Sequence, residues 1–552
     1  MTENRPSGAY PEFLSTLRPP AFGTGGAVAS PHYLATQAGQ EIVKNGGHAV
    51  DAAIAMNTVL CVVYPHMAGL GGDLFSLIWD KDKEKVEAIN GSGKSGEEVT
   101  LDYFKSKDYE EIPSRGPLSA NTVPGTVDAW WEMHQRYGKA EWKSLFTKAI
   151  HYAEHGFPLS SKFSEFVYDK RDVLEQYNES KKHFIKDGKF PSEGDLFKQA
   201  DLANSLKLIS ENGPSVFYEG EIADKIISSL RKHGGLLTKN DLQNHKSEWQ
   251  EPLRSSYRDY EVYQVRPNTQ GLASLIILNI LEEFDVKKIG DNTADYYHLM
   301  AEATKLAFLY RDEWVTDENH MDKKPEELIA KDIARELARQ IKFDSLSPAL
   351  ERTKELPLFK ENRDTTYMCA VDGEGNSCSL IQSVYHEFGS GFIPEECGFL
   401  LQNRGSFFSL DPEHPNRLEP GKKTFHTIIP AMMLKNGKPY MVYGSMGGEG
   451  QPQTQAALVT RVVDFGYNIQ QAIEAPRWLH GKTWGEDSKT FKLESRIPRS
   501  ITEELKKRGQ LVERVENWTG TMGHAQGIII DGERGVLSAG ADPRGDGIGL
   551  SW

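Results

Sequence analysis

Cysteine is scarce, with four residues (Cys61, Cys369, Cys378 and Cys397) in 552 and no Cys-x-x-Cys pair. That usage excludes a disulfide scaffold and suits a reducing compartment. Positive charge is not in excess either. The formal net charge is −15, which excludes the basic field that a nucleic-acid binder needs and leaves small or neutral substrates as the better expectation. No run of about 18 apolar residues occurs, so no membrane span is expected. The longest apolar stretch, residues 59–64, stops at Pro65 and reads as a buried strand or a helix end. The amino terminus has no basic region followed by an apolar run, as a secretory signal would require, so a cytoplasmic location is expected. Repeats of roughly 20–50 residues and low-complexity tracts are missing as well.

What remains is an ordinary globular composition, 38% hydrophobic and 26% charged. The chain is too long for a single ordinary core, so packed layers or lobes are expected. The first two-thirds read as mostly helical. A helix is expected over 32–44, closed by Asn45-Gly46-Gly47, and another over 49–59 with Asp51 in its first turn. A third is expected over 293–310, with Thr293 as its N-cap and Leu299, Ala303, Leu306 and Tyr310 along one stripe. The charge-rich stretches 162–189 and 339–362 read as solvated helices and connections. Past residue 364 the texture changes. Short β-rich runs at 366–371 and 377–384 flank Asp372-Gly-Glu-Gly-Asn376, a hairpin signal. Similar pairs flank Asn436-Gly437 and Asp531-Gly532, with helical pattern between them at 453–465 and 469–476. Helices segregated from antiparallel hairpins describe an α+β layered architecture.

Several patterns carry less than they promise. Gly69-Leu-Gly-Gly72 lacks the sixth-position glycine and the strand-turn-helix setting of a phosphate loop. Gly444-Ser445-Met446-Gly447 fails the spacing of a serine nucleophile elbow. His151-Tyr-Ala-Glu-His155 matches the H-x-x-E-H pattern in which two histidines of one helical face hold zinc; it stands as an alternative reading, a zinc peptidase, although five-residue patterns arise by chance in long chains.

Two segments suggest a different chemistry. In Asn362-Arg-Asp-Thr-Thr-Tyr-Met-Cys-Ala-Val-Asp372 a charged stretch ends at Asp364 and a strand begins with threonine. Cleavage of the bond between Asp364 and Thr365 would free an α-amine, with an ordinary pKa of about 7.7–8. That amine could take the proton of the hydroxyl on its own residue, so nucleophile and base need no histidine partner. The second segment, Tyr443-Gly-Ser-Met-Gly-Gly-Glu449, follows an apolar strand. Its paired Gly447 and Gly448 would let backbone N–H groups face a developing oxyanion, although the same pair also suits a simple turn.

These segments resemble signatures of the γ-glutamyltranspeptidase family. The small-subunit likeness lies in Asp364-Thr-Thr-Tyr-Met-Cys-Ala-Val-Asp372, Phe388-Gly-Ser-Gly391, Gly398-Phe-Leu-Leu-Gln-Asn403 and Gly444-Ser-Met-Gly-Gly448. Pro476-Arg-Trp478 and Ala541-Asp-Pro-Arg544 continue it. The amino-terminal half is similar at Gly46-Gly-His-Ala-Val-Asp-Ala-Ala53, Gly69–Gly72, Val123-Pro-Gly-Thr126 and Leu237-Thr-Lys-Asn-Asp-Leu242. The resemblance implies a four-layer αββα sandwich of the N-terminal-nucleophile hydrolase type. It implies a precursor that cuts itself into a large subunit, residues 1–364, and a small one, residues 365–552, which share one core and stay associated. Thr365 would be the nucleophile, Ser383 a helper hydroxyl, and Gly447 and Gly448 the oxyanion hole. A small amide would be the substrate, with no metal or organic cofactor.

The sequence departs from that pattern where the substrate is held. No arginine stands near Gly91, where the family's glutamate-binding arginine is expected. Arg404 and Phe407 replace the glutamine and aspartate that grip the α-amino group, Tyr385 replaces an asparagine, and His426 and Thr427 replace a serine pair. Phenylalanine cannot pair a substrate ammonium, whereas Arg404 offers a forked donor to a carboxylate. These changes are similar to the cephalosporin (glutaryl) acylase-like branch. Glutaryl-type and γ-glutamyl amides are therefore both expected candidates, and residues 406–427 look too short for the lid loop of some relatives. A further alternative is a non-catalytic relative that keeps the fold, and Arg404 could also serve only a structural salt bridge.

Overall fold

The computed structural model describes residues 15–186, 188–348, 364–481 and 490–552. Two seven-stranded antiparallel sheets form its centre. The first runs in the order Ile548–Ser551, Ala27–Ser30, Asp364–Val371, Ser377–Tyr385, Asp73–Asp80, Lys85–Gly91, Glu248–Gln250. The second runs Ala21–Gly23, Val536–Ala541, Ala525–Asp531, Lys438–Ser445, Ala431–Lys435, Tyr260–Gln264, Leu253–Tyr257.

Three apolar cores separate four layers. Between the sheets, Phe75, Leu77, Tyr367, Cys369 and Ile381 of the first meet Tyr263, Met432, Val442 and Ile528 of the second. The other face of the first sheet, with Leu74, Ile78, Met368 and Leu380, packs on the helices Tyr33–Lys44 and Ala49–Val63. The outer face of the second, with Val262, Met433 and Met441, packs on the helices Gly271–Leu281, Ala294–Trp314 and Gly450–Val463. Alternation along 367–371 follows from the two-residue period of a strand, odd positions facing the opposing sheet and even positions the helices. This is the αββα sandwich expected from the resemblance.

The three hairpins lie where their turns place them. Asp372–Asn376 closes the ladder Val371↔Ser377, Lys435 pairs with Lys438 across Asn436-Gly437, and Asp531 pairs with Val536. Thr293 caps its helix by accepting from Tyr296 N at 3.0 Å, and that helix runs on to Trp314. Residues 59–63 prove to be the end of helix Ala49–Val63. Of the stretch 339–362, residues 349–362 lie outside the described residues.

The first two-thirds are mostly helical, but that reading missed seven strands of the two main sheets that precede residue 364. Strand Asp73–Asp80 is buried at every position. A strand covered on both faces loses the apolar–polar alternation that announces it.

Candidate active site

Thr365 stands at the start of a central strand, in a shift of register between Asp364↔Tyr385 and Thr366↔Gln382. Such irregularities re-aim a side chain and end a ladder. Its hydroxyl donates to Ser383 Oγ at 3.4 Å, and both residues are buried. Ser383 Oγ in turn accepts from Tyr385 N at 2.8 Å. Tyr385 holds a left-handed backbone, φ +82°, a conformation costing a non-glycine residue about 1–3 kcal/mol unless its surroundings hold it. They do: the ring packs on His386 at 4.2 Å and Phe407 at 5.5 Å, and the Arg404 guanidinium covers it at 4.0 Å.

The glycine pair follows strand Lys438–Ser445 of the opposing sheet. Gly444 lies against the Tyr367 ring, two residues along from Thr365, so closely that a Cβ there would collide with it. Beyond it the chain turns at Gly447, φ +128°, and Gly448, φ +52°, a region that favours glycine. Gly447 O accepts from Gly450 N at 2.7 Å. Because a trans peptide sets N–H opposite C=O, the Gly448 N–H points away from the start of helix Gly450–Val463.

His426 and Thr427 follow a loop that crosses to Thr269. The short contact of His426 Nε2 to Asp73 Oδ2, 2.7 Å, places the ring proton on that nitrogen. Burial and the nearby Arg404 charge push the imidazole down to about 4, against the pull of Asp73, so it is neutral at pH 7. Arg404, Phe407, Tyr385 and His426 thus form one buried wall. Phe407 packs, with tilted rings, between Tyr385 and Phe425, the latter at 5.1 Å. No arginine fits at Gly91, where a Cβ would press on Ala129; its neighbours form an amide–hydroxyl network, with Asn90 Nδ2 donating to Asn268 at 3.0 Å and Ser92 Oγ to Asn90 at 2.7 Å.

Asp73 is the residue that sequence reasoning missed. It pairs with Ser383 in the ladder. Besides His426 it accepts from Gln402 Nε2 at 3.0 Å and from the N–H groups of Gly125 at 3.2 Å and Gly93 at 3.4 Å. The signal was its place directly after Gly69–Gly72. That run is a packing device, not a phosphate loop: a Cβ on Gly72 would strike the Ser383 carbonyl, and one on Gly71 the Leu400 carbonyl. Asp73→Ala is expected to strand these donors in the interior and cost about 3–5 kcal/mol, read as a lower denaturation midpoint. An unchanged midpoint would refute this bracing role.

Other motif residues lie elsewhere. His151 and His155 are exposed on helix Thr147–His155, where Glu154 pairs with Lys207, and no group of three or more metal-capable side chains occurs among the described residues. The zinc alternative therefore has no third ligand there. Arg477 and Arg544, from the carboxy-terminal motifs, join Asp542 and Glu494 in a buried charge cluster with contacts of 2.6–3.0 Å; these residues brace the fold.

Comparison with known proteins gives one answer over nearly the whole chain. The family model described as Gamma-glutamyltranspeptidase matches residues 35–552. The chain is 46% identical over 525 residues to the glutathione hydrolase-like YwrD proenzyme of Bacillus subtilis (strain 168), covering 95% of this chain and 98% of that protein. It is 38% identical over 534 residues to the oxamate amidohydrolase proenzyme of Klebsiella pneumoniae, covering 96% and 99%. The crystal structure of a cephalosporin acylase from Bacillus halodurans matches with a TM-score of 0.89 at 36% identity, covering 100% of this chain and 99% of that one.

Proposed function

The chain belongs to the γ-glutamyltranspeptidase family, and from that membership we propose that it is a self-processing amidohydrolase that forms its acyl-enzyme on Thr365. The observation carrying this reading is the buried Thr365 hydroxyl, 3.4 Å from Ser383 at the head of a central strand. In maturation the Thr365 oxygen attacks the Asp364 carbonyl, the 364–365 peptide bond gives way to an ester on Oγ1, and water hydrolyses that ester, leaving a carboxylate on Asp364 and a free hydroxyl and α-amine on Thr365. In turnover that amine takes the hydroxyl proton while Oγ1 attacks the substrate amide, and gives it to the departing amine. The N–H groups of Gly447 and Gly448 receive the oxyanion. Water, or an amine acceptor, then releases the acyl group. Both sheets contain strands from before and after residue 364, hydrogen-bonded to one another, a reason for the fragments to remain together after the cut. A cytoplasmic location accords with four free, buried cysteines.

The wall of Arg404, Tyr385, Phe407 and His426 favours an acyl group with a distal carboxylate and no ammonium, a glutaryl-type amide. Oxamate, in the Klebsiella relative's name, also joins an amide to a carboxylate without an ammonium. γ-Glutamyl amides are the second candidate class, and their α-amine would meet Phe407. The test compares glutaryl and γ-glutamyl anilides with processed enzyme. The glutaryl anilide is expected to have the higher kcat/KM, and Arg404→Ala to raise its KM about 10- to 100-fold through loss of a charge-assisted pair. Equal rates on both anilides, with KM untouched by Arg404→Ala, would overturn the carboxylate assignment.

A further inference from the structure

Gln270 is fully buried, immediately before helix Gly271–Leu281. Its side-chain amide makes three contacts, which use both of its N–H donors. Nε2 donates to the Gly448 carbonyl at 2.9 Å and to the Thr427 carbonyl at 2.6 Å, while Oε1 accepts from Arg311 Nη1 at 3.0 Å. Arg311 is itself buried and reaches on to Glu449 Oε1 at 2.9 Å. The cation fixes which way the amide lies, with its oxygen toward Arg311 and both hydrogens toward the two carbonyls. The Gln270 backbone adds a tie, its N–H donating to the His426 carbonyl at 2.9 Å.

We infer that Gln270 is a positioning residue that clamps the Gly448 peptide to the His426-Thr427 segment, holding the oxyanion donors in register with the acyl-binding wall. Gly448 is held by its neighbours at both peptide planes. Gly450 N–H pins the Gly447 carbonyl at 2.7 Å, and the Gly448 carbonyl takes Gln270 together with a longer bond from Gln451 N at 3.3 Å. A glycine pair at positive φ is otherwise free to rotate, and misplaced oxyanion donors weaken the transition state more than substrate binding. The inference rests on the function proposed above.

Two variants test it on processed enzyme with a glutaryl anilide. Gln270→Leu fills the space but donates nothing; kcat is expected to fall about 10- to 100-fold with KM within about twofold. Gln270→Glu keeps the shape and the Arg311 contact but sets a bare carboxylate oxygen against two carbonyls. The ratio of its kcat to that of wild type at the same pH is expected to rise as the pH falls and the carboxyl gains a proton to donate. Should Gln270→Leu fail to fold, the pH profile of Gln270→Glu decides alone. Wild-type kcat in the variants that fold, or a loss confined to KM, would overturn the clamp. A wild type with no new amino terminus at Thr365 and no anilide hydrolysis would overturn the underlying function instead.

Discussion

Thr365→Ala is expected to remain one uncleaved chain of 61.9 kDa and to lose amidase activity by at least about 10⁴-fold. One substitution removes both the agent of the cut and the later nucleophile, and by preventing the cut it also withholds the α-amine that serves as base. The fold should survive, since Thr365, whose hydroxyl meets Ser383 at 3.4 Å, stands at the end of a strand whose packing is carried by Tyr367 to Val371. Thr365→Ser keeps a hydroxyl and should still process, more slowly. Ser383→Ala separates the two roles further: it removes the 3.4 Å partner while leaving the nucleophile in place, so a partial defect is expected. Intact-mass measurement and amino-terminal sequencing read processing, and anilide hydrolysis reads turnover. Two fragments from Thr365→Ala, or an active single chain, would assign the chemistry to another residue.

The parts of this arrangement that are local in sequence could be read from it. Thr293 announces its helix because a cap bonds within three residues, and Asp372–Asn376 announces a hairpin because a turn closes across five. The strand start at Thr365 and the turn at the glycine pair were also legible, through the abrupt change of texture at 364 and the apolar strand before Gly444. What escaped is what depends on contacts far along the chain. Asp73 reaches His426 across 353 positions, with only its place after Gly69–Gly72 to flag it, and Gln270 reaches Gly448 across 178 with nothing in its neighbours to announce it. Strand Asp73–Asp80 was hidden because burial on both faces erases alternation. The substitution of Tyr385 for an asparagine reads as a change of substrate contact, but the backbone adds a second meaning. Asparagine tolerates a left-handed φ more readily than tyrosine does, so here the ring must be held, and Arg404 and Phe407 are the groups that hold it. The substrate wall and the backbone that positions Ser383 are therefore one device, and Arg404 has a structural share in it besides its proposed charge role.

Acid should unfold this protein through its buried histidines. Burial pushes His183 and His524 down to about 4, against the Gln199 contact in the first case and Asp542 in the second. It pushes His32 equally far, against Asp546, and His426 falls to about 4 with Arg404 adding to burial. Neither ring nitrogen of His524 has a hydrogen-bond partner, so only the Asp542 and Asp546 charges favour a second proton on that ring, and burial outweighs them. In the unfolded chain the same imidazoles take up protons near 6.5. As the pH falls through 6.5 the unfolded state therefore binds protons that the folded state refuses, and stability present above that value is lost between about 6.5 and 4. A histidine moved from 6.5 to about 4 costs about 2 kcal/mol at pH 5, so these four together could remove a large part of an ordinary domain's 5–15 kcal/mol. Thermal unfolding between pH 8 and 4.5 should show a Tm that is nearly level above pH 7 and drops steeply below 6. His524→Asn, neutral throughout, should flatten part of that drop. A Tm as high at pH 5 as at pH 7.5 would mean that these rings find protons or water in the folded state, and the neutral His426 assigned to the substrate wall would fall with them.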